Sequence, residues 1–337
     1  MVLPNAYIAF LHSLLRQICL IGGGKGACQV SVIACDCQSL VRVLIVVLLI
    51  PLGQAAAQEA KQTTQQVVER EFRKLLELDD KIHDEVDEWI RDNAKLAEKK
   101  ASTDPTFLKS QVRQRLKKVD VAYEAFLKRY SGHVRARLAY GSFFSDINEM
   151  DKAKAQWEKA LEAAPNNPVV WNNLGKAYGK QGQISEAFRH FEKAGELAPQ
   201  QPLYHRNLAT LIFSYPDKAA RYYLIDRANA VIKSLALFKK ARALDPKNFP
   251  LATDAAMAQL GVQPFDAKAA LVAWNNALDL APDERSREGV RIHLARIYAH
   301  QGQADAARAQ LDKVREIEFD ELKAEILKTL NTRSAKP

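Results

Sequence analysis

Hydrophobic and polar residues follow a helical period from about residue 58 to the C-terminus. In residues 58–103, which contain neither glycine nor proline, apolar residues recur every seven positions. This spacing predicts one long helix, or two helices that meet near Asp79-Asp80. The apolar stripe consists of Val68, Leu75, Ile82, Trp89 and Leu96, with Phe72 and Val86 beside it. Two interpretations stay open: the stripe packs against the next helix as a cap, or it forms a self-associating coiled coil.

A second pattern, in residues 168–201, predicts two short helices that cross closely. Its key positions are Trp171, Leu174, Gly175 and Tyr178 on the first helix, and Ala187, Phe191, Ala194 and Pro199 on and after the second. Small residues suit a close crossing, aromatic residues fill the space beside it, and proline cannot continue the helix that precedes it. The eight positions resemble one tetratricopeptide repeat (TPR) of the 34-residue type.

The resemblance implies an all-α fold, a right-handed superhelical solenoid of stacked helix-turn-helix repeats with an N-terminal helical cap. Weaker versions of the pattern predict an array over 134–321, with repeats at 134–167, 168–201, 202–248, 251–284 and 288–321. Residues 58–133 form a helical region that ends in a degenerate half-repeat, and residues 322–337 form a capping helix and tail. The third repeat carries an insertion around 214–227, which lengthens its second helix or adds a turn before it.

The first 57 residues have the parts of a secretory signal peptide. Arg42 precedes an apolar run over 43–52, and Ala55-Ala56-Ala57 follows it. This order predicts cleavage after Ala57 and export to the periplasm or the exterior. Residues 1–40 fit a signal peptide poorly. Two explanations stay open. Either translation starts near Val41, or the extension is real and its apolar patch over 8–21 favours a membrane-anchored form.

Composition excludes several classes of function. Three of the 49 basic and one of the 40 acidic residues lie in the first 57, which leaves 46 and 39, a net charge of +7, after that point. Because the charges are interspersed, they indicate a solvated surface and not a nucleic-acid interface. All four cysteines also precede residue 58, so the remainder has no thiolate metal site. The histidines are scattered, no catalytic set can be assembled, and we expect neither an enzyme nor a cofactor.

The resemblance to the family implies that the first helix of each repeat lines a groove that binds a peptide or a partner helix. The inward-facing positions hold Arg135, Ser142 and Asp146, then Asn172, Asn173, Lys176 and Lys180, then Arg206, Asn207 and Thr210, and finally His293, Arg296 and His300. Asparagine can bond a peptide backbone through both its donor and its acceptor. The sequence therefore predicts an exported, non-enzymatic interaction scaffold whose partner is a protein or peptide. The insertion, with Tyr222, Tyr223 and Arg227, could close over that ligand.

A different class of function stays open beside this one. In the alternative interpretation, the chain is a structural envelope protein that forms homo-oligomers through the stripe over 68–96. Membrane contact is expected only through the N-terminal segment, if that segment stays uncleaved.

Overall fold

The computed structural model describes residues 37–98 and 105–334, and every helix or strand assigned there is a helix. The α-helices are α1 (Cys37–Glu98), α2 (Pro105–Arg129), α3 (Val134–Asp146), α4 (Met150–Ala163), α5 (Pro168–Lys180), α6 (Ile184–Leu197), α7 (Pro202–Ser214), α8 (Pro216–Tyr223), α9 (Arg227–Leu244), α10 (Phe249–Gln259), α11 (Ala267–Leu280), α12 (Glu284–His300), α13 (Ala304–Leu311) and α14 (Asp320–Ser334). A short 3₁₀ turn, Ile317–Phe319, precedes α14. The expected extension up to residue 36 and its apolar patch lie outside the described residues.

The chain divides into two compact units, residues 1–67 and 68–337. Within the described residues, none of the helices has the length and apolar character needed to cross a membrane. All of the packing that follows lies inside the second unit.

Much of the apolar stripe of α1 between residues 68 and 86 is covered by the chain itself. Phe72, Leu75, Ile82 and Val86 are buried in one core together with residues of α2, α3 and α4. Tyr123 of α2 adds a polar tie, because its hydroxyl donates to Asp79 Oδ2 at 2.6 Å. The self-associating alternative needs this stripe to be free, whereas the structure covers much of it.

Five hairpins follow: α3/α4, α5/α6, α7/α9, α10/α11 and α12/α13. The turns of the second and fifth hairpins repeat the sequence Gln-Gly-Gln. Gly182 and Gly302 both adopt φ +75°, a left-handed conformation that glycine reaches without the steric cost of a Cβ atom. Two hairpins begin earlier than the predicted repeat boundaries at 251 and 288, at Phe249 and Glu284. Their starts are set by side-chain caps on the residues just before.

Close helix crossings depend on glycine in two hairpins. A Cβ atom added to Gly141 would lie 2.2 Å from Trp157 Nε1, and one added to Gly175 would lie 2.8 Å from the Phe191 ring. Ala187, the other small residue expected at the crossing, is fully buried. The Trp171 indole is only half-buried, and its Nε1 donates to Pro165 O at 2.7 Å.

The insertion of the third repeat forms the separate helix α8, and its C-cap residue Leu224 adopts a left-handed conformation with φ 55°. Tyr222 and Tyr223 pack against Phe188 of α6, and the Tyr222 hydroxyl donates to Glu192 Oε2 at 3.0 Å. The sequence predicted a longer second helix or an added turn before it. The structure has the eight-residue helix α8 before α9, and α9 has 18 residues, against 14 in α4 and 14 in α6. Both tyrosine rings are held against α6 in this structure, whereas the sequence suggested that they could close over a ligand.

Candidate functional site

The surface carried by the first helices α3, α5, α7, α10 and α12 is named here the first-helix face. Its centre is a chain of side-chain amides. Asn207 Nδ2 on α7 donates to Asn172 Oδ1 on α5 at 2.6 Å, and Asn172 Nδ2 lies 3.4 Å from Asn173 Oδ1. Asn172 is only 3% exposed. It therefore serves to hold Asn207 in place, while Asn173 and Asn207 are partly exposed.

The next link joins α7 to α10. Arg206 Nε donates to Asp254 Oδ2 at 2.6 Å, with both side chains about one-third exposed (32% each). Asp254 was not among the sequence candidates. Aligning the prolines at the starts of α5, α7 and α10 would have found it, because Asn172, Arg206 and Asp254 each lie four residues after Pro168, Pro202 and Pro250. The predicted repeat boundary at 251 obscured this register.

The basic candidates on this face differ in their surroundings. Lys176 and Lys180 on α5 are exposed, as is Thr210 on α7. Arg135 on α3 instead bonds Glu69 Oε2 of α1 at 2.7 Å, so it faces the N-terminal helix. The structure thus brings the α5, α7 and α10 residues into one row, and Arg135 is tied elsewhere. Ser142 and Asp146 are exposed on α3.

His293 and Arg296 lie at a cavity of about 330 Å³ near the end of the array. Helices α10 and α12 form its walls, Trp274 of α11 also lines it, and Phe319 and Leu322 come from the segment after the last hairpin. Asp254 lines it as well, so the cavity adjoins the paired row on the first-helix face. His300, the remaining candidate on α12, is exposed near the ring of Phe265.

The imidazole ring of His293 is stacked and buried, and its burial determines its protonation state. Its ring lies parallel to that of Trp274, with centroids 4.0 Å apart and planes 10° apart. Burial, reinforced by the charge of Arg296, lowers the pKa of His293 to about 4. The imidazole is therefore neutral at physiological pH. Among the described residues, neither His293 Nδ1 nor Trp274 Nε1 has a hydrogen-bond partner.

Comparison with known proteins identifies the repeat type. Two family models described as tetratricopeptide repeat match residues 134–167 and 157–189. None of the curated proteins matches this sequence.

Solved structures give weak overall similarity. The TPR protein YrrB, described as having an unusual peptide-binding site, is 18% identical, with 61% of this chain and 98% of that chain covered and a TM-score of 0.48. The pilF protein of Pseudomonas aeruginosa is 17% identical, with 66% and 91% covered and a TM-score of 0.47. A thermophilic TPR protein of Thermus thermophilus is 20% identical, with 59% and 99% covered and a TM-score of 0.43. The two family matches therefore identify tetratricopeptide repeats within residues 134–189 of this chain.

Proposed function

We propose that this protein is a non-enzymatic interaction scaffold that binds a peptide or a helix along the first-helix face. The observation that carries the proposal is the row of polar side chains held in place across α5, α7 and α10. Asn172 fixes Asn207 at 2.6 Å, and Asp254 fixes Arg206 at the same distance. Side chains that are already ordered lose less entropy on binding, so such a row favours association.

The chemistry of the row suits a peptide backbone. Each partly exposed amide, on Asn173 and Asn207, offers a donor and an acceptor, and a peptide backbone carries both. Lys176 and Lys180 lie on the same helix and are exposed. Cations beside a binding row attract acidic segments and repel basic ones. We therefore infer that the preferred ligand is an acidic segment of a partner protein.

A crosslinking experiment in the native cell tests this function. A photo-reactive amino acid replaces Lys176 on the first-helix face or, as the matched control, Lys159, an exposed lysine on the second helix α4. We expect position 176 to capture a defined partner segment and position 159 to capture none.

The segment recovered in this way is then titrated against two double variants. Asn173→Ala with Lys176→Ala should lower its affinity by roughly tenfold to a hundredfold, because the two lost polar contacts together cost about 1–3 kcal/mol. Glu158→Ala with Lys159→Ala should leave it unchanged. Equal affinities for both folded variants would show that the first-helix face is only a solvated surface.

Export is a separate part of the proposal. It rests on Arg42, the apolar run over 43–52 and the alanines that end at Ala57. We propose that the mature protein acts in the periplasm or outside the cell. N-terminal sequencing of the exported protein tests it.

A further inference from the structure

The cavity beside His293 and Arg296 has an apolar interior. Its walls include Phe249, Val290 and Ile292, and Phe319 and Leu322 also line it. A volume of about 330 Å³ lies at the lower end of the range for small-ligand pockets, and it is larger than the space that a few water molecules fill. Apolar walls bind water weakly, so a buried apolar group is the favoured occupant.

The stacked rings of Trp274 and His293 extend the apolar surface. Trp274 is 2% exposed and the His293 imidazole is neutral at physiological pH. Because no hydrogen bond within the described residues holds the polar edges of these two rings, packing and stacking maintain the pair. At this point, the cavity lining therefore consists of two uncharged aromatic rings.

The two charged residues that line the cavity, Asp254 and Arg296, differ in how firmly they are paired. Asp254 is already engaged by Arg206 at 2.6 Å. Arg296 is 46% exposed in its side chain and lies 3.7 Å from Glu325, which is itself 69% exposed. Exposed pairs at such a distance contribute little, so the guanidinium can exchange Glu325 for another carboxylate. The cavity therefore combines an apolar interior with an available cation at its edge.

We propose that this cavity receives one large apolar side chain of the partner segment, aromatic in the best case, and that Arg296 pairs with a carboxylate on the adjacent residue. The inference rests on the proposed function, since it names the anchor of the same bound segment. The row on α5 and α7 binds the backbone of the partner segment, and these contacts depend little on the sequence of that segment. The cavity supplies the specificity, because a buried anchor in a pocket dominates the affinity of many peptide complexes.

Synthetic peptides test the anchor directly. Three fluorescein-labelled twelve-residue peptides of alanine and serine differ only at their centre, which reads Phe-Asp, Ala-Asp or Phe-Lys. Their affinities for the purified full-length protein are measured by fluorescence anisotropy. We expect the Phe-Asp peptide to bind at least about tenfold more tightly than either of the others. Equal affinities would overturn the proposal, and so would the absence of measurable binding by the Phe-Asp peptide.

Variants at Gly289 test whether the peptide binds in this cavity. A Cβ atom added there lies 3.5 Å from Phe319 Cζ, an ordinary contact, so Gly289→Ala is tolerated and Gly289→Leu extends into the cavity. Gly289→Leu should remove the preference for Phe-Asp over Ala-Asp, while Gly289→Ala keeps it. Arg296→Gln should remove the preference for Phe-Asp over Phe-Lys.

The two proposals fail in different ways. If Gly289→Leu keeps the phenylalanine preference while Asn173→Ala with Lys176→Ala abolishes peptide binding, the scaffold function stands and the cavity is overturned as the anchor site. If the partner segment crosslinks equally at positions 159 and 176, the scaffold function fails, whatever the cavity binds. A circular dichroism spectrum of each variant verifies that it is folded.

Discussion

The close crossing at Gly141 leads to a sharp prediction about stability. In Gly141→Ala, the new Cβ atom would lie 2.2 Å from Trp157 Nε1, whereas ordinary contacts begin near 3.4 Å. The indole must therefore move by about 1 Å, and it is buried. Overpacking costs about 1–3 kcal/mol. The shift also weakens the bond from Trp157 Nε1 to Leu138 O, now 3.2 Å long, which contributes about 1 kcal/mol.

A favourable term opposes this loss. Alanine is a better helix former than glycine by about 0.5–1 kcal/mol. The net expectation for Gly141→Ala is a loss of about 1–3 kcal/mol. Gly179→Ala is the matched control on α5, because its nearest neighbours, Ala187 Cβ and Leu211 Cδ1, lie at 3.8 Å. Because no clash offsets the higher helix propensity of alanine, Gly179→Ala should raise the free energy of unfolding by about 0.5–1 kcal/mol.

Urea unfolding followed by circular dichroism measures both effects as shifts of the midpoint at constant slope. The opposite signs of the two substitutions are the diagnostic result. Adding Trp157→Phe should rescue part of the Gly141→Ala loss, since Phe191 occupies the corresponding place beside Gly175 with a longer distance of 2.8 Å. A Gly141→Ala variant that is as stable as the unaltered protein would refute the crossing geometry.

Four further predictions concern other parts of the chain. Because the pKa of His293 is lowered to about 4 in the folded state, the unfolded state binds the proton more readily, and the free energy of unfolding falls as the pH drops from about 6.5 to 4. His293→Phe should reduce this dependence of the free energy of unfolding on pH, and an unchanged dependence would contradict the prediction. Glu288→Ala should cost about 2–3 kcal/mol, since the buried Oε2 accepts two backbone N–H groups at 2.8 and 2.7 Å, and an unshifted urea midpoint would argue against it. Ser234→Ala should cost about 1 kcal/mol through the lost bond to Ala209 O at 2.8 Å, measured in the same way. The exported protein should begin at or near Gln58, and intact peptides covering residues 20–57 in that material would rule out the cleavage.

Much of the fold could be read from the sequence because its signals are local. The positions around Trp171, Gly175 and Ala187 fall within a single hairpin, where short-range helical spacing decides which side chains meet. The glycine turns at 182 and 302 are local as well. The first-helix candidates came instead from the resemblance to the family, which implies their places within each repeat.

The tertiary structure decided which of those candidates can contact a ligand. Nothing local distinguishes Asn172 from Asn173, yet the first is buried and the second is partly exposed. Arg206 and Asp254 are 48 residues apart and pair only because α7 and α10 are neighbours across the insertion. The insertion also packs Tyr222 and Tyr223 against Phe188, a contact that its own sequence does not specify.

The sequence by itself determined the repeat type, the all-α class and the polar character of the first helices, since each depends on spacing within about one turn or one hairpin. Only the tertiary structure decided the cavity at the end of the array. Its lining runs from Phe249 to Leu322 and comes from three helices together with the segment after the last hairpin. Such a space depends on how successive hairpins stack, and stacking depends on the volumes of side chains that are distant in the chain.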